Sequence, residues 1–339
     1  YAKETQRGEL PHVTGLVVES FDDTVAMDAA TRRNLELTET LDGQEQHTLA
    51  WVLDSTKTAM GARQLKRWVH QPLRNRTTLN QRQDQIDALR QGWCFESTRD
   101  VLNDIGDMER ILGRVALRSA RPRDLTRLHA SLKAMPALIG TLPASDAFYE
   151  LIERVGQFPE QVDLLGRAVI ENPPMLIRDG GVIAPGYSEE LDELRSISEN
   201  AGQVLVDIET RERERTGFST LRVKYNKVHG YYIELSRREA DDAPVDYQRR
   251  QTLKNAERFI TPELKEFEDK ALSASSKALT LEKRLYEELL EKVAADLHPL
   301  QRCAAAVAEL DVLAALAERA EALNWVRPQL VDEEAIIEI

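Results

Sequence analysis

The sequence predicts a mainly α fold: a multi-helix core from which two long antiparallel helices extend and carry a small antiparallel β subdomain. Three observations predict it. Apolar residues recur at helical spacing through most of the chain. Two long stretches, Tyr187 to Thr216 and Glu263 to His298, contain no proline and a single glycine, Gly202. Between these arms, residues 217–260 include stretches where apolar and polar side chains alternate with a period of two. Composition agrees, because 42% hydrophobic, 30% charged and only 6% aromatic residues describe a soluble helical protein rich in surface ion pairs. At 339 residues the chain is long enough for two or three domains and a sizeable core.

Residues 1–27 read as a connector of short strand-like pieces, Leu16-Val17-Val18 and Val25-Ala26-Met27. The helical core is expected over 28–185. Asp28 suits the N-cap of a helix containing Leu35 and Leu37, since a short acceptor there satisfies an amide that has no partner inside the helix. Met60, Leu65, Trp68 and Val69 follow a 3.6-residue period, which Leu79, Ile86 and Leu89 continue. Pro122 fits the first turn of another helix, while Pro136, Pro143, Pro159 and Pro173-Pro174 punctuate the remainder of the core.

The outgoing arm, 186–216, is predicted as one helix with Leu191, Leu194, Ile197, Leu205 and Ile208 on its apolar face. The returning arm, 261–298, opens on a Thr261 N-cap followed by Pro262, and its stripe runs from Leu264 and Phe267 to Val293 and Leu297. Its 36 residues from Glu263 to His298 would make a rod of roughly 54 Å. Two such helices should pack antiparallel. In the last stretch, 299–339, an apolar helix through Val307, Leu310, Leu313, Leu316 and Ala320 returns to the core, and Ala335 to Ile339 reads as a strand in need of partners. With Tyr1 in place of a Met, the chain is expected to be a fragment of a longer protein.

Within 217–260, Leu221, Val223 and Tyr225 interleave with Arg222, Lys224 and Asn226, and Tyr231, Ile233 and Leu235 with Tyr232, Glu234 and Ser236. The pattern predicts two strands joined through Lys227-Val228-His229-Gly230, with a third in Tyr247 to Ile260. This island holds nine Lys/Arg against six Asp/Glu, a balance of +3 in a chain whose net charge is −13. A local positive tip on an acidic body suits contact with a polyanion.

Other chemistry is not indicated. The six histidines include no pair at metal-ligand spacing, and Cys94 and Cys303 are isolated. Carboxylates of the arms, Glu209, Glu212 and Glu214 or Glu287, Glu288 and Glu291, interleave with basic residues and read as solvated helix faces. No run has the roughly 18 apolar residues of a membrane span, and no leader pattern is visible, so a cytoplasmic protein is expected.

Several segments resemble the MutS family of DNA mismatch-repair proteins, its bacterial members in particular. They are Thr252-Leu253-Lys254-Asn255-Ala256-Glu257-Arg258-Phe259 with Thr261-Pro262-Glu263-Leu264, Val228-His229-Gly230-Tyr231-Tyr232-Ile233, and Met27 to Glu36. Leu65-Lys66-Arg67-Trp68-Val69, Glu109-Arg110-Ile111-Leu112 and Ala120 to Leu125 are similar to the same family. The resemblance implies a core, two lever helices and a clamp that holds duplex DNA by its backbone. Mismatch-reading and ATPase domains would lie elsewhere in the longer protein, with ATP and Mg bound there and not in this fragment. It also implies a homodimer at full length, the mismatch-repair partner MutL, and no catalysis by the fragment itself. The clamp residues it points to, together with the island's charge, are Asn226, Lys227, His229, Arg249, Arg250, Thr252, Lys254, Asn255 and Arg258. The rival from another class is a helical scaffold that docks a protein partner through its tip.

Two family motifs are not carried over. Gly181-Val182-Ile183-Ala184-Pro185-Gly186-Tyr187-Ser188 is nearest to a phosphate loop, but Tyr stands in place of the Lys and Pro185 lacks an amide, so it reads as the loop entering the first lever. Phe148-Tyr149-Glu150 and Phe158-Pro159-Glu160 match the Phe-x-Glu of the mismatch reader, yet sit among core helices and read as packing.

Overall fold

A computed structural model describes residues 23–226 and 230–331. The chain divides into two compact units, one comprising the residues up to Leu176 together with those from Glu287 onward, the other Ile177–Tyr286. The connector's Leu16 to Val18 and the terminal strand Ala335 to Ile339 lie outside the described residues, as do Lys227, Val228 and His229.

The first unit is helical. It contains α1 (Ala29–Asn34), α2 (Leu49–Leu53), α3 (Ala59–His70), α4 (Arg76–Arg90), α5 (Cys94–Leu102), α6 (Met108–Ala116), α7 (Pro122–Gly140), α8 (Tyr149–Val155) and α9 (Pro159–Ala168). Asp28 caps α1 by accepting the Thr31 amide at 2.6 Å, but the helix stops at Asn34, so Leu35 and Leu37 come after it instead of lining it. Pro122 occupies a first turn as predicted, and Pro159, expected only to punctuate the core, opens α9 in the same way. Pro136, expected to break a helix, lies inside α7. One missing amide near the end of that helix is outweighed by the burial of Leu132, Met135 and Leu138 around it.

The last long helix, Leu297–Ala322, is α14 once the second unit's elements are numbered, and it is the axis of this unit. Its buried residues, among them Leu300, Ala304, Val307, Leu310, Leu313 and Ala317, cover every face, because α3, α4, α5, α6 and α8 pack around it. Asp311 sits at 0% exposure in the middle of this apolar helix. Its carboxylate accepts the amides of Lys57 (2.9 Å) and Thr58 (2.7 Å) and the Thr58 hydroxyl (2.7 Å), closing the N-terminus of α3. Burial raises its pKa more than these hydrogen bonds lower it. Gly61 is required beside it, since a Cβ there would overlap the Asp311 side chain.

In the second unit the outgoing arm is two helices, α10 (Glu189–Glu199) and α11 (Ala201–Thr216), where the sequence predicted one. The interruption is one residue, Asn200, whose φ/ψ of −71°/−8° stays near helical. Bonds from Asn200 N to Ser196 O (2.9 Å) and from Val204 N to Asn200 O (3.1 Å) carry the ladder across it. Next come β1 (Arg222–Asn226), β2 (Gly230–Ser236), the single turn α12 (Arg237–Ala240), β3 (Gln248–Thr252) and β4 (Ala256–Ile260). Thr261 caps α13 (Pro262–Ala295), whose residues beyond Tyr286 belong to the first unit. The arms are antiparallel, since Arg195 meets Glu282 while Arg211 meets Glu263.

The strands form one antiparallel sheet in the order β1-β2-β4-β3. The third strand predicted over Tyr247 to Ile260 is therefore a hairpin of two. Leu253 N donates to Ala256 O at 2.9 Å, so Lys254 and Asn255 form the turn that the alternation alone did not reveal.

Candidate nucleic-acid interface

One face of the sheet is apolar. Leu221, Ile233, Leu235 and Phe259 pack with Ile208 of α11 and Leu264 of α13 into a buried cluster. The opposite face is an ion-paired surface in which Glu234 lies between Lys224 (2.8 Å) and Arg258 (3.3 Å). Arg258 also donates to the Gln251 side chain (2.8 Å) and covers the Tyr232 ring with its guanidinium 4.3 Å from the centroid. The bond from Lys224, assisted by Arg258, holds the Glu234 carboxyl below the ordinary carboxylate range.

The register and contacts place the described clamp residues Asn226 and Arg250 toward one end of the sheet and Thr252, Lys254 and Asn255 at the other, with Arg249 and Arg258 between. Asn226 pairs with Gly230 at one end, where α13 passes close: Tyr231 N approaches Glu268 at 3.3 Å, and a Cβ at Gly230 would overlap the Glu268 carboxylate. Arg250 belongs to this end too, donating to Glu268 and to the Tyr231 carbonyl, each at 3.3 Å. At the other end Ser236 pairs with Ala256 and Thr252 with Glu257. The 253–255 turn lies just beyond one side of this end, and α12 just beyond the other. The two ends are six residues of β2 apart, about 20 Å at strand rise. Lys254, Asn255 and Thr252 thus share an end that Asn226 does not.

The partners of the island's cations sharpen this division. Arg222 is held by Glu209 (3.0 Å), Lys224 and Arg258 by Glu234, Arg249 by Glu257 (2.7 Å) and Arg250 by Glu268. Arg237, Arg238 and Lys254 are exposed and make no ion pair among the described residues. All three stand at the same end of the sheet, since the chain steps from Ser236 into Arg237 and from Ala256 back to Asn255 and Lys254. Glu239, within α12, is the acidic residue nearest to Arg237 and Arg238 in sequence, and Asp241 and Asp242 come directly after the turn.

Neither Arg237 nor Arg238 stands out as a clamp residue in the sequence. Their signal is the Ser236-Arg237-Arg238-Glu239 tetrapeptide, a Ser N-cap that starts a helical turn where β2 ends. Ser236 Oγ accepts the Glu239 amide at 3.4 Å and donates to its carboxylate at 2.9 Å.

The charge pattern implies solvated arm carboxylates, but Glu212 and Glu209 are fastened inside the unit. Glu212 is only 6% exposed, accepts the Tyr247 hydroxyl at 2.8 Å and meets Arg215 at 2.8 Å. Burial, then the bond to Glu212, raises the Tyr247 pKa. Glu209 accepts the Val223 amide at 2.8 Å as well as Arg222, fastening α11 to β1. A charge pattern along one helix shows which residues share a face but not what packs against that face, so these fastenings are hidden from it.

The loop that resembles a phosphate site already holds an anion from its own chain. The amides of Gly181 (3.0 Å), Val182 (2.6 Å) and Ile183 (2.8 Å) converge on the buried Glu282 carboxylate, to which Arg195 adds a contact at 2.7 Å. Phe148 is fully buried, in keeping with packing. Among the described residues no group of three or more His, Cys, Asp or Glu could hold a metal ion, and no helix is long and apolar enough to cross a membrane.

Comparison with known families matches MutS domain III over residues 30–317, which spans the helices of the first unit, both arms and the sheet. The chain therefore belongs to the MutS domain III family, a family of DNA mismatch repair.

Proposed function

We propose that this chain grips duplex DNA by its backbone, without reading sequence, through the end of the sheet that carries Arg237, Arg238, Thr252, Lys254 and Asn255. The observation that carries this reading is the segregation of charge among the described residues: Arg222, Lys224, Arg249, Arg250 and Arg258 are matched to carboxylates, while the three without ion-pair partners, Arg237, Arg238 and Lys254, gather at one end. A cation already paired gains little from a phosphate, because the new contact must replace an existing one. An unpaired, hydrated cation releases the DNA's counterions without that exchange. Thr and Asn add neutral donors to phosphate oxygens, which position the duplex without specifying bases. Asn226 belongs to the opposite end and would serve a second contact only if the duplex spans the sheet; Lys227 and His229 lie outside the described residues.

In this reading the fragment is neither an ATPase nor a mismatch reader. It links its grip, through α11 and α13, to parts of a longer protein that supply those activities, and dimerisation and MutL contact belong to that longer protein. The test is a binding titration with matched and mismatched duplexes at two salt concentrations. Equal affinity for both duplexes and a steep loss with salt are expected. A mismatch preference above about threefold would require a base-reading element, since one mispaired position is worth about that much or more. Affinity unchanged by salt would favour protein docking instead.

A further inference from the structure

We infer that Glu239, although negatively charged, is the positioning residue that assembles the DNA-gripping end of the sheet; the inference rests on the function proposed above. Two segments converge on its carboxylate, which the turn α12 carries. Ser219 N donates to Oε1 at 3.0 Å and Thr220 N at 3.4 Å, the Thr220 hydroxyl bonds Oε2, and Ser236 Oγ reaches Oε2 at 2.9 Å. Thr220 Oγ1 in turn accepts the Ser236 amide at 3.1 Å. The loop after α11, the last residue of β2 and the turn α12 are thereby tied at one point. Arg237 and Arg238 sit on the tied turn, and Lys254 and Asn255 flank it through the Ser236 to Ala256 pair. Burial tends to raise the Glu239 pKa, but the donors from Thr220 and Ser236 win and hold it lowered, so the group stays an acceptor at neutral pH.

Charge and position make opposite predictions here. An anion close to cations that meet phosphate weakens binding by simple repulsion, so its removal should tighten the complex. A residue that fixes where those cations stand should weaken binding when removed, because mobile arginines lose more freedom on contact. Glu239→Ala and Glu239→Gln remove the same charge and differ in what they leave. The Gln carbonyl still accepts the Ser219 and Thr220 amides, and the neighbouring hydroxyls can turn to accept its NH₂. Ala leaves nothing.

The experiment measures duplex affinity and its salt dependence for the two variants beside the parent chain and Lys254→Ala, with hydrogen exchange at β2 and β4 showing that the sheet persists. Glu239→Gln should bind as tightly as the parent or up to about threefold tighter, and Glu239→Ala about five- to tenfold more weakly with a shallower salt slope. Equal affinities for the Ala and Gln variants, or tighter binding by Ala, would overturn the inference. If Lys254→Ala also leaves binding unchanged, the DNA-gripping reading itself fails; if Lys254→Ala weakens binding while Ala and Gln at 239 agree, only the role of Glu239 is lost.

Discussion

The helical unit and the sheet unit are held together by different physics. Around α14 the interior is mostly apolar, with Asp311 as the one buried carboxylate among the described residues of this unit. In the sheet unit a small apolar cluster is accompanied by carboxylates that fasten elements to one another, Glu209, Glu212, Glu234 and Glu268, while Glu282 ties the 181–183 loop and α10 to α13 beside a second cluster. A small sheet buries too little surface to rely on packing alone, so paired charges supply its geometry. The same pairing matches most of the island's described cations to carboxylates and leaves Arg237, Arg238 and Lys254 without ion-pair partners among the described residues.

The largest effect should come from the apolar interior. Leu313→Ala empties a fully buried site on the central helix and should cost about 3–5 kcal/mol. All four tryptophans fall in the helical unit, so tryptophan fluorescence during urea denaturation reports this loss directly. A cost below about 1 kcal/mol would mean that α14 is not the axis of packing.

A smaller loss, confined to the other unit, is expected for Tyr247→Phe. The variant removes the hydroxyl that donates to buried Glu212 and should cost about 1.5–3 kcal/mol, since the acceptor is charged. Hydrogen exchange should quicken at β3 and β4 and stay unchanged at α14. Equal quickening in both units would show that their stabilities are not separate.

Acid should separate the units in the same direction. Glu209, Glu234 and Glu239 all have lowered pKa values in the fold, so the stability they contribute is full above the ordinary carboxylate range near 4.5 and is lost as pH falls through their folded values. Asp311 works in the opposite sense: its pKa is raised, so the cost of its charge is felt at neutral pH and relieved by acid. The helical unit also has lowered carboxylates, Asp107 and Asp124, paired at its surface with Arg63 and Arg114, so acid weakens both units. On titration from pH 6 to 3, about the span around and below the ordinary carboxylate value, exchange protection in β2 and β4 should fall before tryptophan fluorescence changes. Simultaneous loss would refute the contrast.

Much of the architecture is legible in the sequence because it depends on local rules. The Thr261-Pro262 cap, the Asp28 cap and the alternation of β1 and β2 each need only a few neighbouring residues, and each reappears in the structure. The hidden part depends on residues distant in sequence. Nothing near Glu282 announces that Gly181 to Ile183 will converge on it, and nothing in the +3 balance of the island reveals which of its cations are already matched. Arg249, Arg250 and Arg258 stand out in the sequence for their charge, which the structure directs to Glu257, Glu268 and Glu234. The division of the site between two ends requires the register, which a turn at Lys254-Asn255 sets and a run of alternating residues does not.

The central claim, that unpaired cations at one end of the sheet meet the DNA backbone, is tested most directly by the slope of log affinity against log salt for one duplex. The combined Arg237→Ala, Arg238→Ala and Lys254→Ala variant should reduce the magnitude of that slope by about 0.9 for each phosphate no longer neutralised. The Arg222→Ala and Lys224→Ala variant, whose cations are already held by Glu209 and Glu234, should leave it unchanged. A slope that shifts with Arg222 and Lys224 and not with Arg237, Arg238 and Lys254 would put the DNA on the paired face of the sheet and contradict the account.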